Sequence, residues 1–145
     1  MANESLEALQ ATLDATNVTL KNLREERNAY TNREPPYDTF AAREEYREKH
    51  EKETDKEVLR LADLKVELAG KIARQETENL QESAQALRKV NVRLSEAIEK
   101  AEGLGKILKY VNLVVTLGIS VVTGNALAIA AAVTATLTEL NQDGN

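Results

Sequence analysis

Apolar positions recur along the first thirty residues at alternating intervals of three and four. Leu6, Leu9, Leu13, Thr16, Leu20, Leu23, Arg27 and Tyr30 share one seam. That spacing is a heptad stripe, so it predicts a coiled-coil helix over 4–31 whose narrow face suits a single partner. Leu6, Leu9, Leu13, Leu20 and Leu23 are its packing residues. Asn3 or Ser5 supplies N-cap chemistry, and Asn32 tolerates the left-handed turn that ends a helix. Pro35 and Pro36 forbid helix, and Asp38 is a good N-cap for the next element.

From 39 to 102 there is no proline and one internal glycine, Gly70. A lone glycine costs about 1 kcal/mol in a helix and does not by itself break one. The pattern therefore predicts one long helix over 38–102, close to ~100 Å at a 1.5 Å rise per residue. Between 43 and 57, 12 of 15 residues are charged and only Tyr46 is substantially apolar, which predicts a solvated helix tip. The lone histidine, His50, falls inside this run and reads as a solvated side chain. Apolar positions return at Val58, Leu59, Leu61, Leu64, Val66, Leu68 and Ile72. A later seam holds Leu80, Leu87, Val90, Leu94, Ala97, Ala101, Leu104, Leu108, Val111 and Val115. It crosses Gly103 and Gly105 without losing register, so a helix either continues through the glycines or bends there. Folded on the prolines, the first helix runs antiparallel to the second, with Leu23 opposite Tyr46 and Leu6 opposite Leu64.

The chain then changes character. Residues 110–138 are 29 consecutive uncharged positions. Thr123, Gly124 and Asn125 are a turn signal within them, followed by a last helix and a polar tail at 142–145. The predicted organisation is an all-α chain: a charged coiled-coil stalk over 1–103, an apolar helical hairpin over 104–141, and the tail. The stalk and the hairpin together form an elongated antiparallel rod.

The hairpin carries two kinds of surface. Asn112, Thr116, Ser120 and Thr123 form a polar stripe on the first helix; Ala126, Ala130, Thr134 and Thr138 form a small-residue face on the second. Such faces let helix backbones approach closely, in bilayers especially. They predict a hairpin-facing or pore-lining surface. The remaining flank, Val111, Leu113, Val114, Leu117, Val121, Leu127, Ile129 and Val133, is aliphatic. The narrow seam over 70–102 is too small to cover it. Exposed aliphatic area of this size marks an interface or a membrane site, so these eight residues are predicted to touch lipid or a second copy. A single span needs about 20 residues, so one span, a shallow hairpin and a buried hairpin are all admissible by length.

Charge and composition narrow the function further. Residues 1–103 hold 17 Lys and Arg against 22 Asp and Glu, whereas 104–145 hold only Lys106, Lys109, Glu139 and Asp143. A net charge of −5 with no basic stripe argues against nucleic acid as a partner. There is no cysteine, hence no disulfide framework or thiolate site. The opening MANESLEALQ has neither a basic region nor an apolar core of the secretory kind, which predicts a cytoplasmic protein or one released without a signal peptide. Arg47 stands where a di-iron Glu-x-x-His motif would need its glutamate, and no phosphate loop or nucleophile elbow occurs. Neither an enzymatic activity nor a cofactor is expected.

Residues 111–122, the turn at 123–125 and residues 126–137 give the chain a resemblance to the α-helical pore-forming toxins and to the colicin pore-forming domain. That likeness is architectural, covers about a fifth of the chain and rests on no signature motif. It departs from the long-rod toxins in ending the chain with its apolar element. The resemblance implies a self-associating protein that inserts the hairpin into a membrane in its active state, alone or with a second protein component. Lys100, Lys106 and Lys109 would then sit at the headgroup boundary. Two other readings stay open: a soluble homo-oligomer whose hairpins form a shared core, and a tail-anchored protein with one span and its stalk in the cytoplasm.

Overall fold

The computed structural model describes residues 2–31 and 39–142. Among them it is all-helical: α1 (Ala2–Thr31), α2 (Phe40–Ala73), a 3-10 turn (Glu78–Leu80), α3 (Ala84–Lys100), α4 (Leu104–Thr123) and α5 (Ala126–Gln142). Asn32, Pro35, Pro36 and Asp38 lie outside the described residues. Thr39 caps α2, its hydroxyl accepting from the Ala42 amide at 3.2 Å.

The single long helix expected over 38–102 does not form. Gln75 takes a left-handed backbone, φ 53°. Its amide donates to the Ile72 carbonyl at 3.0 Å, and the Glu76 amide to the Lys71 carbonyl at 3.1 Å. This pair of bonds is a Schellman motif, the usual stop for a helix, with glutamine where glycine is common. A left-handed residue other than glycine costs roughly 1–2 kcal/mol, so the stop is not imposed locally. Burial of Thr77, Leu80 and Ala84 beyond it provides the compensation. A second break falls at the glycines. Ala101 is extended, and Gly103 has φ 87°, a conformation that a Cβ would disfavour.

These two breaks fold the chain into a five-helix bundle. α1 packs on α2, α3 and α4, and α4 packs on all the others. Three links show α1 and α3 running in the same direction: Arg88 to Glu7 at 2.6 Å, Asn91 to Thr12 at 3.0 Å, and Asn22 to the Ile98 carbonyl at 2.5 Å. On the α1–α2 face Arg27 pairs with Asp55 at 2.9 Å, and His50 Nε2 lies 3.8 Å from Glu26 Oε1. The register therefore differs from the one expected, in which Leu23 faced Tyr46.

The core is one continuous cluster to which every α-helix contributes. Leu9, Leu20 and Leu23 of the heptad seam are buried, while Leu6 and Leu13 are half-buried at its edge. Leu61, Leu64 and Leu68 of α2 and Leu87, Val90, Leu94 and Ile98 of α3 meet them. The charged run of α2 is not wholly solvated. His50 is 3% exposed and Thr54 is fully buried, because that turn of α2 lies between α1 and the start of α4. Threonines 12, 16 and 19 are also buried on α1, each hydroxyl donating to a carbonyl one turn back, which satisfies it inside its own helix.

Candidate functional site

The unusual element is the α4–α5 pair. α4 starts after Gly103, whose carbonyl accepts from the Ile107 amide at 3.1 Å. It closes on Gly124, whose amide donates to the Ser120 carbonyl at 2.8 Å. Asn125 then caps α5, its Oδ1 accepting from the Ala128 amide at 2.9 Å. Among the described residues α4 is the one helix long and apolar enough to cross a membrane, and less than half of it is buried. Core helices of water-soluble proteins pass the same test of length and composition.

The orientation of the pair decides which of its residues are buried within one copy. Val111, Val114, Leu117, Val121, Ile129 and Val133, expected to touch lipid or a second copy, are buried within this one chain, none more than 5% exposed. Leu113 is half-buried, and Leu127 alone among the eight stands out in solvent, 79% exposed. The stripe expected to be hairpin-facing or pore-lining points out of the bundle. Asn112, Thr116, Thr123, Ala130, Thr134 and Thr138 are exposed, and Ser120 and Ala126 are half-exposed. The reason is the break at 74–77. It brings α3 back alongside α1; α4 then packs on α1, α2 and α3, and α5 on α3, α4 and the 3-10 turn, which covers the aliphatic flank that a narrow seam over 70–102 could not.

Two close contacts hold the pair in place. Gly118 sits against Leu64 of α2 so tightly that a Cβ on the glycine would meet Leu64 Cδ2 at 2.5 Å. Asn79, in the 3-10 turn between α2 and α3, donates from Nδ2 to the carbonyls of Val121 at 3.0 Å and Gly124 at 2.9 Å. These are C-terminal carbonyls of α4, left without a helical partner by the end of the helix. On the far side Arg93 of α3 donates to Asn141 of α5 at 3.0 Å, and Lys109 and Glu139 approach to 3.9 Å across the pair.

Sequence reasoning did not find Asn79, which looks like any polar residue on a helix face. Gly118 did carry a signal: a glycine inside an aliphatic helix costs about 1 kcal/mol, which is consistent with a close helix approach there.

Surface depressions flank the pair. A cleft of about 550 Å³ is lined by Tyr46, Lys49, His50, Glu53, Leu104 and Gly105. An apolar groove of about 420 Å³ between α2 and α4 is floored by Leu64, Val115, Ile119 and Val122 and edged by Arg60, Asp63 and Glu67. Among the described residues no three His, Cys, Asp or Glu side chains converge as a metal site would require. No family model, curated protein or solved structure matches the chain.

Proposed function

We propose that this chain is a non-enzymatic, membrane-active helical protein that stores α4 and α5 in a water-soluble bundle and transfers them to a bilayer, where copies self-associate. The supporting observation is the two-sidedness of α4. In the bundle its aliphatic flank faces protein and its Asn112, Thr116 and Thr123 stripe faces water. In lipid the same flank meets acyl chains, and the stripe turns to other helices or to an aqueous path. Residues 110–138 bring no charge that would resist transfer. The face of Ala126, Ala130, Thr134 and Thr138, largely exposed in the bundle, suits close packing against a second copy.

A second reading is a water-soluble helical interaction module in which α4 serves only as a core helix. The full burial of Val111, Leu117, Val121 and Ile129 within one copy favours it. It also removes the need for a shared core between copies.

A disulfide lock separates the two. The Cβ position of Gly118 is 3.1 Å from Leu64 Cγ, and Leu64 Cβ is no nearer than that. One further carbon–carbon bond of about 1.5 Å puts the Cβ–Cβ separation at no more than roughly 4.6 Å, within reach of a disulfide. The chain has no native cysteine to interfere. Leu64→Cys combined with Gly118→Cys should release dye from liposomes when reduced and lose that activity when oxidised. Dye release that survives oxidation means that α4 need not leave α2, and the storage reading fails. A fixed mass in detergent-free buffer with no effect on liposomes in either state supports the second reading.

A further inference from the structure

The sequence and the fold disagree over residues 74–83. The segment RQETENLQES contains no proline or glycine and includes good helix formers, yet it is broken. It adopts a left-handed glutamine, a 3-10 turn and a second turn before α3. We infer that this break is a conformational device held by the α4–α5 pair. Asn79 is its catch, and release of the pair lets 74–83 become helical and joins α2 to α3.

Three observations carry this. First, the break has an unfavourable local geometry, because Gln75 occupies a region that L residues other than asparagine, aspartate and glycine rarely visit. Second, its long-range polar anchors run to the apolar pair. Both Asn79 donor bonds end on carbonyls at the close of α4 and the turn into α5. Third, its apolar anchor, Leu80, is fully buried in the cluster that α4 and α5 complete, and α5 contacts the 3-10 turn directly. Once α4 and α5 withdraw, Asn79 has no acceptors and Leu80 loses part of its cover. The broken form then keeps its backbone cost with part of its compensation gone, α1 still packing on the 3-10 turn and α3. Conversely, loosening Asn79 favours withdrawal of the pair, because linkage between two sites is reciprocal.

The device rests on the storage reading only for its biological use; its mechanics are testable without lipid. Lys65 and Lys89 are exposed on α2 and α3 on either side of the break. Spin labels on Lys65→Cys and Lys89→Cys report its geometry by pulsed EPR. In the bundle α2 and α3 both flank α1, so the labels lie closer than the ~36 Å that 24 residues of continuous helix would set. Asn79→Asp keeps the side-chain shape, removes the donor and places an anionic oxygen near two carbonyls; Asn79→Ala removes the bonds without adding charge. Each should raise amide exchange at residues 121–125 roughly tenfold or more, as the loss of two neutral hydrogen bonds implies. Each should also add a long-distance population to the EPR trace. Gln75→Ala in the same background should enlarge that population, and Gln75→Gly should shrink it, since alanine favours helix and glycine the left-handed stop.

Unchanged exchange at 121–125 in both Asn79 variants overturns the catch. Faster exchange with only the short EPR distance overturns the coupling to 74–83. Dye release from liposomes is scored separately. Variants that open in water yet leave vesicles intact uphold the device and count against the membrane reading instead.

Discussion

Gly118 of α4 lies directly against Leu64 of α2: a Cβ on the glycine would stand 2.5 Å from Leu64 Cδ2 and 2.9 Å from Cδ1. Both residues are buried, and the leucine must shift to admit any side chain at this position. The contact explains how an apolar helix with a glycine in its middle can be seated so closely on a charged one.

Gly118→Val should therefore destabilise the fold by about 1–3 kcal/mol, the usual cost of overpacking a filled core. Adding Leu64→Ala makes room for the new side chain. The pair should then show a coupling of about 1 kcal/mol or more in a double-mutant cycle by urea denaturation. Strict additivity would mean that the two helices do not meet at this point.

Val121 and Thr116 lie on the same helix with opposite surroundings, the first fully buried and the second exposed. Val121→Asp should cost several kcal/mol and unfold or aggregate the protein in plain buffer, since the new carboxylate has no partner in an aliphatic cluster. Thr116→Asp should change stability by no more than about 0.5 kcal/mol. The orientation assigned to α4 is wrong if thermal melts rank the two variants the other way.

Gln75→Gly should stabilise the lipid-free protein by about 1 kcal/mol, because glycine adopts the left-handed conformation without steric cost. For a chain of this size that corresponds to a rise in Tm of about 2–4 °C. A lower Tm would show that the glutamine side chain contributes more than its backbone geometry costs.

Deleting residues 126–142 removes Ile129, Val133 and Leu140 from the common cluster. On the sequence pattern alone, deleting 125–145 leaves the stalk pairing intact and the helicity high. In the bundle it uncovers flanks of α3 and α4, so the truncated chain should lose its sharp urea transition and associate in gel filtration. A monomer that still unfolds cooperatively at the original midpoint would place α5 outside the folding unit.

The helical class was legible because it rests on nearest-neighbour chemistry. Heptad spacing at Leu9, Leu20 and Leu23, proline confined to 35–36, and an uncharged run closed by Gly124 and Asn125 each act over a few residues. Gly103 also showed itself, as a glycine on an otherwise continuous seam, though its positive φ is a property of the folded chain. The character of His50 did not. A histidine in a charged run reads as solvated until a neighbouring helix end is known to cover it.

What the sequence by itself determined is therefore which segments are helical and which flank of each is aliphatic. An aliphatic flank has the same composition whether lipid, a second copy or the chain's own helices cover it, because burial is non-directional. Only the tertiary structure decided that α4 packs among the other four helices with Val111, Leu117 and Val121 buried and Asn112 and Thr116 left in water. It did so by breaking a helix that local propensity would have continued. A left-handed glutamine costs roughly 1–2 kcal/mol. Fully burying even one leucine returns about 1.5–3 kcal/mol, and beyond the break Leu80, Leu87 and Leu94 are all buried by residues distant in sequence.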